Sequence, residues 1–432
     1  MSNDTVALIG FIALFLLMIL RVPVGMAMGL VGVTGYSYIV GAGPALKLVS
    51  LTSMRTVTDY TFGVIPMFLL MGALVSVSGL SKEMFRAADA FIGHLRGGLG
   101  IATIVACGGF AAICGSSVAT AATFSVVAYP EMRRFGYPQA FSTGVIAAGG
   151  TLGAMLPPST VLVVYAILTE QDIGKLFMAG ILPGLLAMAM YVLTINIIVK
   201  LRPHLLPAGQ AKPWNERAQA LKLVWAPLAL FVFVIGGLYG GFFTPTEAGG
   251  VGAGGAYILG VLRGKLNRKN TRQALLQATR TTAAVFTVLI GALLFGYFLT
   301  ITQTPQKLTE FLTDLGIGRY GVLALMMVMF LILGSLMDAM AMIILTVPIV
   351  FPVVTALGFD PIWFGIIIVM TVELGLIHPP VGMNVFVIKS VIKDVSFTTI
   401  FKGVLPFIAT DIVRLVILIA FPVIALYLPS RM

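Results

Sequence analysis

The sequence predicts an all-α polytopic membrane protein with two inverted-topology repeats, each pairing a re-entrant helical hairpin with a broken helix. Three observations carry that prediction. Of 432 residues, 59% are hydrophobic, only 10% are charged and 48 are glycine. Soluble domains carry about 25% charged residues. Hydroxyls, glycines and prolines interrupt the apolar sequence between Gly108 and Ser159. Similar interruptions return about 220 residues later.

Composition also bounds the partners. A net charge of +11 raises nucleic acid, but the lysines and arginines fall in short loops. That is the positive-inside pattern, which sets topology in a lipid bilayer. Cys107 and Cys114 form neither a disulfide framework nor a metal spacing and read as packing residues. The 22 methionines are dispersed and read likewise. Ten or more spans are expected.

In chain order, Val6 to Leu20 reads as a retained first span, since no signal-peptide cleavage pattern follows it. Val22 to Val40 is the second. Leu46 to Tyr60 is weakly apolar and suits the membrane interface. Phe62 to Leu80 is the third span, and Lys82, Arg86 and Arg96 mark a basic loop. Leu99 to Ile113 and Val118 to Pro130 each reach roughly 20 Å, short of the ~30 Å hydrocarbon core. They predict a hairpin tipped at Gly115-Ser116-Ser117. Phe141 to Thr169 crosses with a break from Gly149-Gly150-Thr151 to Pro157-Pro158-Ser159. Leu176 to Val199 crosses back to a basic loop at Lys200 to Lys222. Leu223 to Phe243 goes out, and Thr244-Pro245-Thr246-Glu247 is a capping box opening the next helix. Arg263 to Arg280 is strongly basic, and Thr281 to Ile301 crosses again.

The pattern then returns. Gly334-Ser335 matches Gly115-Ser116 at an offset of 219, and Gly358 matches Gly136 at 222. Pro379-Pro380 match Pro157-Pro158 at 222, Asp394 matches Asp172 at 222, and Pro406 matches Pro183 at 223. This divides the chain into N-terminal scaffold spans (1–97) and a first hairpin plus broken-helix unit (98–184). Connecting spans with two basic loops (185–318), a second unit (319–406) and a C-terminal span (407–432) follow. Taking basic loops as cytoplasmic places 20 of the 27 lysines and arginines inside. The turn at Arg133–Tyr137 is basic, while its counterpart near Gly358 to Asp360 has no lysine or arginine. The copies are therefore inverted, which puts a substrate site between the paired breaks.

The polar residues at the breaks admit two readings each. Ser116, Ser117 and Thr120 either satisfy helix-end backbone or help the tip carbonyls bind a cation. The helix N-terminus after them favours an anion. Gly149, Gly150, Thr151 and Gly153 either allow close packing or unwind the helix to expose carbonyl ligands for a hard cation. Thr371 and Gly375 hold the comparable place in copy two. Asp338, three residues past Ser335, marks function by default, because a carboxylate at membrane depth costs at least ~2.5 kcal/mol on insertion scales. Glu373 and His378 lie in the second broken helix, with His378 a hydrogen-bonded breaker or a proton relay. Asn384 reaches substrate or caps its half-helix. Asp411 and Arg414 are i and i+3 and neutralise each other, or Arg414 counters an anionic solute.

Several segments together resemble the large membrane subunit of tripartite ATP-independent periplasmic (TRAP) transporters. They include Pro66 to Gly72, Cys114-Gly115-Ser116-Ser117-Val118-Ala119-Thr120-Ala121, Pro130 to Tyr137 and Gly150-Thr151-Leu152-Gly153. Leu156-Pro157-Pro158-Ser159, Leu176 to Gly184, Thr244 to Ala248 and Pro379 to Asn384 continue the match along nearly the whole chain. Asp172-Ile173 departs from the Ser-Ile common in the family. The resemblance implies an elevator-type importer, similar to the ion transporter superfamily, in a bacterial inner membrane. It implies Na+ as the coupling ion, no organic cofactor, a periplasmic substrate-binding protein and a separate four-span membrane subunit. It implies carboxylate solutes such as C4-dicarboxylates, sialic acids and sugar acids. One sodium position would comprise Gly115, Ser116, Gly149, Gly150, Thr151 and Gly153, the other Gly334, Ser335, Thr371 and Gly375. Solute contacts would fall at Ser117, Thr120, Pro158, Ser159, Asp338, Pro380 and Asn384. No catalytic residue is expected. The competing readings are a symporter or antiporter that works without a binding protein, and an intramembrane hydrolase using Ser116 or Ser117 with His378.

Overall fold

The computed structural model describes residues 2–432, and its regular elements are helices. Chain entry is through α1 (Asn3–Ile19) and α2 (Val24–Val40). α3 (Ala42–Thr58) follows, largely exposed, where the interfacial segment was expected. α4 (Val64–Val77) and α5 (Leu80–Ile92) complete the N-terminal scaffold.

The first unit begins with α6 (Gly98–Cys114) and α7 (Ser117–Arg134), two helices that meet at Gly115-Ser116. α8 (Gln139–Met155) and α9 (Thr160–Thr169) are the halves of the broken helix, and α10 (Ile173–Leu201) follows. Residues Gln139–Thr169 are 89% buried in their most apolar window, against 39–61% for the other long apolar helices. The broken helix is therefore the core of the molecule and sees little lipid.

α11 (Trp214–Tyr239), α12 (Pro245–Leu262), α13 (Arg268–Ile301) and α14 (Thr304–Asp314) connect the units. The capping box is formed: Glu247 N–H donates to the Thr244 hydroxyl, and the Thr244 N–H donates to the Glu247 carboxylate. The basic segments contract to shorter loops, because Trp214–Lys222 and Arg268–Arg280 are helical. α12 and α13 pack on α4, and α13 lies along α2.

The second unit repeats the first with α15 (Gly318–Leu336), α16 (Ala339–Ala356), α17 (Pro361–Ile377), α18 (Met383–Val391) and α19 (Phe397–Ala420); a short α20 (Val423–Leu426) and a 3-10 turn (Pro429–Arg431) follow. The turns at Gly136 and Gly358 both have φ near +80° (+80° and +74°), and Pro130 in α7 matches Pro352 in α16 at the same offset of 222. The domain ends at 184 and 406 fall inside α10 and α19, near Pro183 and Pro406, so each unit's last helix runs past the expected boundary.

Eight helical segments are long and apolar enough to cross a membrane, and four shorter apolar helices accompany them. The eight include both arms of the second hairpin, while the unbroken α1 and α2, at 17 residues each, fall among the shorter four.

Candidate solute and cation site

The two units exchange their second half-helices. α9 packs on α16 of the other unit, α18 packs on α7 and α8, and α8 and α17 cross between them. This is the contact pattern of a two-fold relation between copies.

At the first tip, Gly115 is left-handed (φ +62°) and Ser116 caps α7, accepting from the Ala119 N–H at 3.3 Å. The Thr120 hydroxyl donates to the Ser116 carbonyl at 2.8 Å. The tip lies directly on the break. The Thr160 hydroxyl donates to the Gly115 carbonyl at 3.2 Å, and a Cβ on Gly115 would sit 2.2 Å from the Pro158 carbonyl oxygen. Ser159 caps α9 through the Leu162 N–H and donates to the Ala154 carbonyl. Ser117 donates to the Thr151 carbonyl at 3.4 Å.

The glycines of α8 stay helical, which corrects the expected unwinding. α8 runs unbroken through Gly149, Gly150, Thr151 and Gly153 to Met155, and the break occupies only Leu156–Ser159. Their smallness serves close approach. A Cβ on Gly153 would meet the Ser116 backbone at 2.6 Å, on Gly150 it would meet Ala121, and on Gly149 it would meet Cys107. Only Gly153 belongs to the last turn, whose carbonyls lack helical partners.

A second correction concerns copy two. Gly334 and Ser335 are helical, in the last turn of α15, and the tip is Met337-Asp338. Asp338 caps α16, accepting from the Met340 N–H at 3.1 Å, and is exposed. It thus corresponds to Ser116, at the same offset of 222 that relates the prolines. Thr371 is also helical, its hydroxyl donating to the Ile367 carbonyl at 2.8 Å. The break is His378–Gly382, and the His378 Nδ1 lies 2.6 Å from the Pro379 carbonyl oxygen. Tip and break again touch. The Gly382 N–H donates to the Ser335 carbonyl at 3.1 Å, and a Cβ on Gly375 would meet Gly334 at 2.7 Å. Gly153 and Gly375 are 222 apart and do the same job in the two units. Pro380 lies exposed in the second break, while Pro158 is buried in the first.

Asn384 joins the units. It is fully buried in α18, its amide nitrogen 3.5 Å from the Ala147 carbonyl of α8, and its Oδ1 has no hydrogen-bond partner. That oxygen is an acceptor held beside the first unit.

A buried charge cluster lies where α8, α10, α17 and α19 meet. Arg414 Nη2 is 3.0 Å from Asp411 and 3.5 Å from Glu373, all three fully buried. The Tyr191 hydroxyl donates to both Asp411 oxygens at 2.8 and 2.9 Å and lies 3.1 Å from the Thr151 hydroxyl. Arg414 thus pairs with Asp411 and Glu373 through Nη2, while its buried Nε and Nη1 have no hydrogen-bond partner among the described residues. Sequence reasoning paired only Asp411 with Arg414 and missed Tyr191. The repeat could have found it, since Thr151 maps to Glu373 at 222 and Tyr191 maps to Arg414 at 223.

A solved structure, the YdaH transporter of Alcanivorax borkumensis, shares the fold at a TM-score of 0.52 and 15% identity over 86% of this chain and 89% of that one. Residues 11–424 match the family model of the tripartite ATP-independent periplasmic transporter, DctM component. The chain belongs to this family. A C4-dicarboxylate TRAP transporter large permease of Pseudomonas aeruginosa is 37% identical over 89% of this chain and 90% of its own length. A sialic acid TRAP transporter large permease of Vibrio cholerae is 32% identical over 87% of each. The chain is thus a multi-pass large permease subunit of the TRAP transporter family.

Proposed function

We propose that this TRAP permease is a sodium-coupled importer of an organic anion in a bacterial inner membrane, taking its solute from a periplasmic binding protein and working with a small four-span subunit. The observation that carries the reading is the meeting of hairpin tip and helix break in each unit. Two helix N-termini and two helix C-termini come together there. Free N–H groups at N-termini favour a carboxylate, and free carbonyls at C-termini favour sodium.

The helical course of α8, α15 and α17 supports a revised set of proposed cation ligands. In the first unit they are Gly115, Ser116 and the last-turn carbonyls of α8, including Gly153. In the second they are Ser335, the Met337-Asp338 tip and the last turn of α17, including Gly375. All are oxygens, as a hard cation requires. Gly149, Gly150, Gly334 and Thr371 act by packing. Ser117, Ser159 and Asn384 face the solute. The relatives named for C4-dicarboxylate and sialic acid support a carboxylate as its class.

Coupling follows from charge. Each elementary charge moved across 100 mV is worth ~2.3 kcal/mol, and an anion enters a negative interior uphill. Two sodium ions per monoanion reverse the sign. The transport units would move against the scaffold of α1–α5 and α11–α14 in an elevator motion.

Reconstitution in liposomes with the small subunit and candidate binding proteins tests this reading. Uptake is expected with an inward sodium gradient and not with potassium or proton gradients alone. Sodium-independent uptake would end it, and uptake without any binding protein would favour a free-standing symporter.

Asp338→Asn refines the second site. Asparagine caps a helix as well as aspartate, so folding is expected to be unchanged while the charge is lost. A single charge at ~4 Å is worth about 1–4 kcal/mol between water and protein-surface dielectrics. The sodium concentration giving half-maximal uptake should rise about tenfold. An altered solute affinity at unchanged sodium dependence would assign Asp338 to the solute instead.

A further inference from the structure

A cleft of about 710 Å³ opens between α8, α10 and α19, away from both tips. Its walls are apolar, with Phe141, Ile197, Ile198, Leu201 and Leu405 among them. Ile197, Leu201 and Leu405 are also exposed on the outer surface, at 47%, 76% and 56%. The cleft thus opens sideways toward the bilayer. Its size lies in the ~300–1,000 Å³ range of small-molecule sites.

Its polar residues are arranged in two levels. Thr194 of α10 and Thr410 of α19 join hydroxyls across the cleft. Each is also within 2.9 Å of a carbonyl of its own helix, Met190 and Pro406, so neither keeps a hydrogen free for an anionic ligand. Arg202 and Lys402 also line the cleft. Each lies eight residues from its threonine, which is about 12 Å along a helix. α10 runs toward Arg202 and α19 runs away from Lys402, so the joined threonines place the two cations at one level. Among the described residues neither cation has an ion-pair or hydrogen-bond partner, and no acidic residue lines the cleft. Arg133, Arg134, Lys389 and Lys393 flank the same ends of α7 and α18, the basic and therefore cytoplasmic side.

We propose that this cleft is a binding site for an anionic phospholipid of the cytoplasmic leaflet, with the phosphate held by Arg202 and Lys402 and an acyl chain between α10 and α19. An apolar slot with satisfied hydroxyls at depth accepts a hydrocarbon chain and rejects a hydrophilic anion. Two unpaired cations at the headgroup level prefer net negative lipids to zwitterionic ones. Basic pockets between membrane helices on the cytoplasmic side bind headgroups on this principle. The site is separate from the solute and sodium reading and stands without it.

The test uses the purified permease in nanodiscs of equal phosphatidylglycerol and phosphatidylcholine, with retained lipid counted by native mass spectrometry after transfer to detergent. Phosphatidylglycerol is expected to be retained over phosphatidylcholine. Each basic residue near an anionic headgroup is worth about fivefold, so Arg202→Gln with Lys402→Gln should lower phosphatidylglycerol affinity about thirtyfold and phosphatidylcholine affinity much less, abolishing the preference between them. Ile197→Trp fills the slot without touching the charges and should displace both lipids. Unchanged phosphatidylglycerol retention in either variant would overturn the proposal. So would competition by glycerol phosphate as strong as that by the intact lipid, which would mean a free-anion site. Displacement of the lipid by the small membrane subunit would make the cleft a protein interface and also overturn it.

Discussion

Arg414→Met is expected to destabilise the permease by about 3–5 kcal/mol, the cost of leaving a buried charge without its partner. The guanidinium is the only positive group within reach of Asp411 and Glu373 among the described residues, and both carboxylates are fully buried. Tyr191 supports Asp411 with two hydrogen bonds, but Glu373 has one long contact and an unpartnered Oε1. Removing Arg414 therefore strands two carboxylates at membrane depth. The measurement is denaturant unfolding in detergent, read beside a compensated variant. Arg414→Met with Glu373→Leu and Asp411→Leu should recover most of the loss, because replacing a whole buried ion cluster by apolar groups is often neutral. If Arg414→Met alone were harmless, the cluster would not hold α17 to α19, and its place between the two breaks would need another explanation. Recovery of stability without recovery of uptake would show that the cluster also sets the relative position of α8 and α17.

How much of this was legible in the sequence depends on which residues had alternatives of similar physics. The first hairpin was readable because Gly115 and Ser116 interrupt two helices that are each too short to span. The second tip was misread because Gly334-Ser335 copies the letters of Gly115-Ser116 and sits only three residues away. The physical equivalent of Ser116 is Asp338, since both cap the returning helix with a side-chain oxygen. The constant offset of 222 was the better guide than residue identity. The glycines of α8 were ambiguous for a different reason. Unwinding and close packing both favour a residue without a Cβ, and only the helical backbone, with Gly149 against Cys107 and Gly150 against Ala121, decides for packing. Glu373 stayed unpaired in the sequence because its partner lies 41 residues on, whereas Asp411 and Arg414 are one turn apart on a single helix. Residues joined by the chain are legible at helical spacing; residues joined by the fold become legible only through the repeat.

Gly115→Ala is expected to cut uptake per folded transporter more than tenfold, and its comparison with Gly136→Ala separates the cause. Both glycines are left-handed, with φ of +62° and +80°. Each alanine therefore carries the strain of that region, roughly 1–2 kcal/mol. At Gly136 a Cβ meets nothing within 4 Å, so strain is the whole effect. At Gly115 the same Cβ would lie 2.2 Å from the Pro158 carbonyl oxygen and 3.6 Å from the Ser159 Cα. The obstacle is backbone on both sides and cannot rotate away. The hairpin tip must lift from the break, parting the helix ends that the proposed solute and sodium share. Gly136→Ala should lose stability and keep its transport rate per folded molecule, while Gly115→Ala should lose stability and transport together. Proteoliposome uptake normalised to folded protein distinguishes them. Equal rates for the two variants would mean that the tip's contact with Pro158 is dispensable, and the site would then have to be sought away from the meeting of tip and break. The corresponding contact in copy two, Gly375 against Gly334, provides the internal check. Gly375→Ala crowds backbone in the same way without any left-handed strain, because Gly375 is helical. A loss of uptake there at little cost in folding would assign the effect to the closeness of tip and break in both units.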